Sequence, residues 1–286
     1  MDRPIELLPE LPRMGAAFAR ALLPSRAHRA ELPRHTVMVN GHRQDLNRLA
    51  EYARVCGFTL RDTVPPTWLH VLTFALQVAL LGSHESTIRL VGVVHVSNMM
   101  RLARPVAAGE RLQLLVHAEN LRPHRRGALV DLVSQVRVAD EVVWDGVSSY
   151  LAKGMNAPGE PATTPKPDFE STTPITPTAL WRLPADLGRQ YRRVSGDPNP
   201  IHTHRLAAAA FGFERPIIHG MWTHARLLAA LENRLPGAYQ VSARFTRPIL
   251  LPGTVGFAAR RTGDGWESAV TTPDGGKPYL VATIGT

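Results

Sequence analysis

The sequence predicts an α+β protein built from one unit used twice. Three observations carry this. Trp68 to Leu81 and Ile218 to Leu231 are mostly apolar helix candidates, introduced by Pro65-Pro66 and by Pro216. Each is followed by several strand-like stretches. Between the two sets, residues 154–178 hold six prolines with Gly, Ser and Thr and little periodic apolar content, which is the composition of a linker. A buried helix beside several antiparallel strands is an α+β layout.

The elements follow in order. In the first half, the helix candidate Trp68–Leu81 precedes strand candidates over Arg111–Glu119, Ala128–Val138 and Glu141–Ser149. The middle one alternates in part, with Leu129, Leu132, Val136 and Val138 apolar. In the second half, Ile218–Leu231 precedes strand candidates over Tyr239–Phe245, Gly253–Arg260, Trp266–Thr271 and Pro278–Ile284. The expected division is an N-terminal unit over 1–153, a linker over 154–178 and a C-terminal unit over 179–286.

The two halves echo each other. Tyr52-Ala-Arg-Val-Cys-Gly-Phe58 aligns without a gap on Tyr191-Arg-Arg-Val-Ser-Gly-Asp197, at an offset of 139 (191 minus 52). Val96-Ser97 through Arg104-Pro105-Val106 to Gly109 echoes Val241-Ser242 through Arg247-Pro248-Ile249 to Gly253. Similar segments in a fixed order mark a duplicated unit. The copies differ where chemistry would sit. Phe58 takes the place of Asp197, and Pro65 follows it after seven positions, where Pro216 follows Asp197 after nineteen. One site per chain is expected, in the second half.

That site lies in residues 191–208, Tyr-Arg-Arg-Val-Ser-Gly-Asp-Pro-Asn-Pro-Ile-His-Thr-His-Arg-Leu-Ala-Ala. Pro198 and Pro200 hold Asp197 and Asn199 out of the helical region, and Gly196 permits a tight entry. Asp197, Asn199 and His202 can then converge on one point. A carboxylate and an imidazole that meet at a buried point hold and activate a water molecule. Asn199 reads either as a group that positions this water or as an ordinary turn former. His202, His204, His219 and His224 crowd in sequence, and His-x-His suits zinc, but the loop accounts for them without a metal.

The run Tyr191, Val194, Ser195, Gly196, Asp197, Asn199, Pro200, Ile201, His202 and Ala208 resembles the motif of the MaoC-like, R-specific enoyl-thioester hydratases, the hydratase 2 family. Arg215-Pro-Ile-Ile-His-Gly-Met-Trp222 resembles the segment that enters the central helix in that family. The likeness covers roughly residues 180–286. It implies a hot-dog fold, a curled antiparallel sheet around one long helix, and two copies would make a double hot dog that imitates a dimer. It implies catalytic roles for Asp197 and His202, with Asn199 beside them. Either of the pair is open as the base. Gly220 would give its amide to the thioester oxygen at the helix entry, next to His219, and Ser195 and Met221 would contact substrate. First-turn amides of a helix have no internal partner and attract negative charge. The acyl tail would run along the apolar helix toward the stripped half.

Composition narrows the alternatives. At 286 residues and 44% apolar content, the chain can fill one large core or two ordinary ones. A lone cysteine, Cys56, permits no intramolecular disulfide and suits a reducing cytosol. The longest apolar run, Val71 to Leu81, broken by Thr73 and Gln77, is too short to span a bilayer, and Arg20 interrupts the N-terminal patch Met14–Leu23, unlike a secretory signal. The net charge of +9 is scattered, with knots at Arg122–Arg126, Arg192–Arg193 and Arg260–Arg261. No basic helix or RNA-binding signature accompanies it, so nucleic acid is not expected. The charge suits either a solvated surface or attraction to coenzyme A phosphates or an acidic acyl carrier protein. No dinucleotide fingerprint or phosphate loop is present, and no cofactor is expected. The expected activity is (3R)-enoyl-thioester hydration, or the reverse dehydration, by a cytoplasmic monomer or homodimer. The rivals are an acyl thioesterase and a non-catalytic acyl-thioester scaffold.

Overall fold

The computed structural model of the chain describes residues 3–15, 18, 28–88, 92–161, 176–263 and 265–285. The centre of the expected linker, 162–175, lies outside the described residues.

Among the described residues, eleven strands form one sheet: β1 (Ile5–Leu8), β2 (Thr36–His42), β3 (Val93–Leu102), β4 (Leu112–His124), β5 (Gly127–Val138), β6 (Glu141–Lys153), β7 (Ala179–Leu183), β8 (Tyr239–Phe245), β9 (Gly253–Thr262), β10 (Gly265–Thr271) and β11 (Pro278–Gly285). Their order is β1-β2-β4-β5-β6-β3-β8-β11-β10-β9-β7. The first half supplies one wing and the second half the other. Register breaks in β2, β3 and β4 bend the first wing.

Each wing curls around one helix. Helix α2 (Pro66–Leu81; α1 is introduced below) has Pro66 in its first turn, a position where proline's missing N–H is not needed. It therefore begins two residues before the expected Trp68. Its surface is buried almost all round, because apolar side chains face every direction. The second helix, α5 (Gly220–Leu231; a short α4, Arg205–Ala210, precedes it), begins two residues after the expected Ile218. Ile218 is held extended by its amide's bond to the Ile249 carbonyl at 2.9 Å, which pins the helix start at His219-Gly220.

Two shorter helices were not legible as such. Helix α1 (Leu46–Cys56) is capped by Asp45, which accepts from the Arg48 amide at 3.0 Å. Helix α3 (Leu187–Ser195) is its counterpart. Each ends on a left-handed glycine, Gly57 at φ 80° and Gly196 at φ 77°, 139 residues apart (196 minus 57). Tyr52 and Tyr191, aligned in the repeat, are both fully buried with ring centroids 6.1 Å apart. Strands β1, β2, β3 and β7 also extend the set expected from sequence.

The halves join where β3 pairs antiparallel with β8. Ser97 faces Arg244, Asn98 faces Ala243 and Met99 faces Ser242. At the offset of 145 that aligns Ser97 with Ser242, the first and third pairs exchange places. A pseudo-twofold axis thus runs through the Asn98–Ala243 pair, as in an isologous dimer interface. Asn98 is 1% exposed and donates to Ser148 Oγ at 3.0 Å.

Candidate active site

The chain leaves α3 through the left-handed Gly196 and enters the proline-bent loop. The Asp197 amide donates to Ser195 Oγ at 3.2 Å, and Asp197 Oδ1 accepts from the Asn199 amide at 2.9 Å. This small turn fixes the carboxylate and leaves Oδ2 facing inward. Asn199 is extended, as its place before Pro200 requires, and Pro200–His202 then forms one 3₁₀ turn. Asn199 caps that turn, its Oδ1 accepting from the Ile201 amide at 3.3 Å. The contact recorded for Asn199 is thus the turn-forming one.

His202 is buried, and its Nδ1 lies 2.8 Å from the Ile217 carbonyl. A carbonyl only accepts, so Nδ1 carries the proton and Nε2 keeps the lone pair. Burial pushes the His202 pKa below its ordinary 6.5, while the Asp197 charge and the Ile217 bond pull it back up. The imidazole is neutral and able to accept a proton at neutral pH.

His219 completes the group. It precedes α5, is 3% exposed, and stacks on His202 with ring centroids 3.6 Å apart. Its Nε2 lies 3.7 Å from Asp197 Oδ2, and neither of its ring nitrogens has a hydrogen-bond partner among the described residues. Burial first, then the neighbouring His202 and Arg192, hold its pKa well below the ordinary value. One donor atom each from Asp197, His202 and His219 lies within 4.8 Å of the others. That spacing suits a shared water, and the same three donors are close enough to hold a metal ion. His204 is exposed and His224 is buried within α5, and neither joins the group.

The helix entry is open because of Gly220. A Cβ there would sit 3.0 Å from the Phe245 ring. The Trp222 and Thr223 amides both bond to the His219 carbonyl at 3.1 and 3.3 Å. The Gly220 and Met221 amides precede the first helical bond and point out of the helix end.

These groups line a cavity of about 550 Å³. Ser195, Asp197, Asn199, His202, His219, Gly220 and Met221 all contribute to its wall, so the predicted site residues share one space. The wall continues into the other half through His70, Phe74, Gln77 and Val78 of α2, His95 of β3 and Tyr150 of β6. None of these six side chains was expected at the site from the sequence. One signal was present: Trp68-Leu-His70 repeats as Trp222-Thr-His224 near the start of each central helix. Exposed Arg125, Arg126, Lys153 and Arg247 rim the mouth. The Arg122–Arg126 knot thereby becomes part of the entrance.

Two curled wings, each around a helix, with an acid and two imidazoles at one helix entry, define a double hot-dog hydro-lyase. Comparison with known proteins agrees. Residues 159–276 match the family model for the MaoC like domain. The chain is 38% identical over 267 residues to 3-hydroxyacyl-thioester dehydratase X of Mycobacterium tuberculosis, covering 93% of this chain and 94% of that protein. The crystal structure of HtdX from the same organism superposes with a TM-score of 0.77 at 36% identity, over 87% of this chain and 99% of that one. A second M. tuberculosis structure, described as a double hotdog fold, matches at TM-score 0.50 and 14% identity over 91% and 96% of the two chains, a likeness of fold alone. The chain belongs to the MaoC-like dehydratase family and is a hydratase/dehydratase. No helix among the described residues is long and apolar enough to cross a membrane.

Proposed function

We propose that the chain interconverts (3R)-3-hydroxyacyl and trans-2-enoyl thioesters of coenzyme A or acyl carrier protein in lipid metabolism. The observation that carries this is the convergence of Asp197, His202 and His219 at the entry of α5, on the wall of one cavity.

In the hydration direction, one water sits between Asp197 and His202. His202 Nε2 takes a proton from it as its oxygen bonds to C3. The electron pair of the C2–C3 double bond shifts toward the thioester carbonyl. The imidazolium then returns the proton to C2, so one water supplies both added groups. Asp197 holds the water and stabilises the imidazolium by its charge. The Gly220 amide faces the thioester oxygen as it becomes negative, a contact on the order of 3–4 kcal/mol. Ser195 holds the Asp197 turn, Asn199 caps the turn that carries His202, and Met221 and His219 flank the reacting carbons. Dehydration uses the same groups in reverse.

The division into an N-terminal unit over 1–153, a linker over 154–178 and a catalytic unit over 179–286 belongs to this reading. The second half holds the chemistry and the first half holds the acyl chain. The basic rim at Arg125, Arg126, Lys153 and Arg247 suits the phosphates of either carrier. Loss of enoyl absorbance from crotonyl-CoA, without release of free thiol, tests the reaction against the thioesterase alternative. Binding without turnover across a chain-length and carrier series would leave only the scaffold reading.

A further inference from the structure

The last carbonyls of α3 stand directly ahead of Gly196 and Asp197, and the other half of the chain holds them. Arg48, on α1, donates from Nε to the Val194 carbonyl at 2.8 Å and from Nη2 to the Ser195 carbonyl at 3.1 Å. Such carbonyls have no partner within their own helix. A Cβ on Gly196 would lie 3.6 Å from Arg48 Nη2, so the guanidinium reaches the residue that leads into the acid. Its carbon also lies 5.3 Å from the centroid of the Trp68 ring, and Trp68 Nε1 donates to Gln44 Oε1 at 2.9 Å. Burial lowers the Arg48 pKa from its ordinary value, with Asp45 and Tyr191 acting the other way, and the group is still a cation at neutral pH.

The pseudo-twofold copy of this contact is built differently. Val55 aligns with Val194 at the repeat offset of 139 (194 minus 55). The Val55 carbonyl accepts from the Trp222 indole at 2.9 Å. Trp222 is the counterpart of Trp68 in the repeated Trp-x-His. In the reactive half, Trp68 bonds to Gln44 instead, and an arginine takes the carbonyl that an indole holds in the other. An indole has one donor and fixes one carbonyl. A planar guanidinium fixes two successive carbonyls and adds positive charge at a helix C-terminus, where it is favourable. The duplication thus departs from symmetry at the helix that carries Asp197.

We propose that Arg48 is a positioning residue for the reaction. The half without the acid–imidazole pair fixes the end of α3 and, through Gly196, the place of the Asp197 carboxylate. Arg48 touches neither substrate nor reacting atoms. This inference rests on the hydratase reading and adds to it a residue from the opposite half.

The test uses the full chain with crotonyl-CoA and compares Arg48→Met, Arg48→Lys and Arg226→Met. Arg226 is the matched control: its Nη1 donates to the Gly57 carbonyl at 3.4 Å, at the end of α1, where Phe58 follows in place of an acid. Arg48→Met lowers kcat by about 10- to 100-fold, as slight misplacement of a catalytic group does, and moves KM by less than about twofold. Arg48→Lys, which keeps the charge and a donor, recovers part of kcat. Arg226→Met keeps the native kcat. Hydrogen exchange at the Asp197, Asn199 and Ile201 amides speeds up in Arg48→Met and not in Arg226→Met. A folded Arg48→Met with native kcat overturns the proposal. So does a loss confined to KM, an Arg48→Lys no better than Arg48→Met, or an equal fall of kcat in Arg226→Met. Should Arg48→Met not fold, Arg48→Lys carries the test, and a native kcat there overturns the proposal. Should the native chain not hydrate crotonyl-CoA, the hydratase reading fails separately. The exchange comparison then still tests the buttress, with equal rates in native and Arg48→Met protein counting against it.

Discussion

His202 carries its proton on the nitrogen that faces the Ile217 carbonyl, which leaves Nε2 as the basic atom. Burial and the Asp197 charge act on it in opposite directions, and burial is the larger. In the proposed mechanism His202 acts as the base, which it can do only when neutral. The hydration kcat/KM is therefore flat near neutral pH and falls as pH drops through a His202 pKa that lies below 6.5. Asp197→Asn removes the charge that raises this pKa, so the acid limb moves to still lower pH. The same substitution, and His202→Ala, lower kcat by about 10²–10⁴. A pH series of kcat/KM on crotonyl-CoA for the three proteins checks both points. An unmoved limb in Asp197→Asn would separate Asp197 from His202.

At the scale of elements, the site is a helix end, a bent loop and a second helix start. Gly57 and Gly196 end α1 and α3 in the same left-handed conformation, but only Gly196 leads into the acid. A side chain in that conformation costs about 1–2 kcal/mol. Gly57→Ala and Gly196→Ala should each lower the urea unfolding free energy by about that amount. Only Gly196→Ala should also reduce kcat, because Asp197 hangs directly from the cap. Steady-state rates at a temperature where both variants are folded separate the two effects.

Across the whole molecule, the pseudo-twofold seam buries polar groups at the junction of the halves. His70 on α2 and His224 on α5 are 3% and 0% exposed, and a proton on one disfavours a proton on the other. Burial lowers their pKa values to about 4 and about 3. The unfolded chain, with histidines near 6.5, binds more protons between those values and 6.5. Stability is then fully present above about pH 6.5 and is lost as pH falls toward 4 and then 3. Each unit of displacement contributes about 1.4 kcal/mol. Thermal melting between pH 7 and pH 4 should show a falling Tm, and His224→Leu should flatten that fall.

Much of this was legible in residue types. Paired prolines, Gly196 and the Asp197-to-His202 spacing restrict the backbone locally, so the bent loop and its acid–imidazole pair could be read from the chain. The gapless echo of Tyr52–Phe58 in Tyr191–Asp197 disclosed the duplication for the same reason. Helices α1 and α3 were hidden because they are short and polar on one side, and tertiary packing of Tyr52 against Tyr191 settles them. The sequence by itself determined a bent loop carrying an acid and an imidazole in one of two related halves. Only the tertiary structure decided that His219 lies 3.7 Å from Asp197, and that His70 and His95 of the other half wall the same cavity. The physical reason is range. Backbone preferences act over a few residues, whereas these meetings depend on β3 and β8 pairing across the seam and fixing one half against the other.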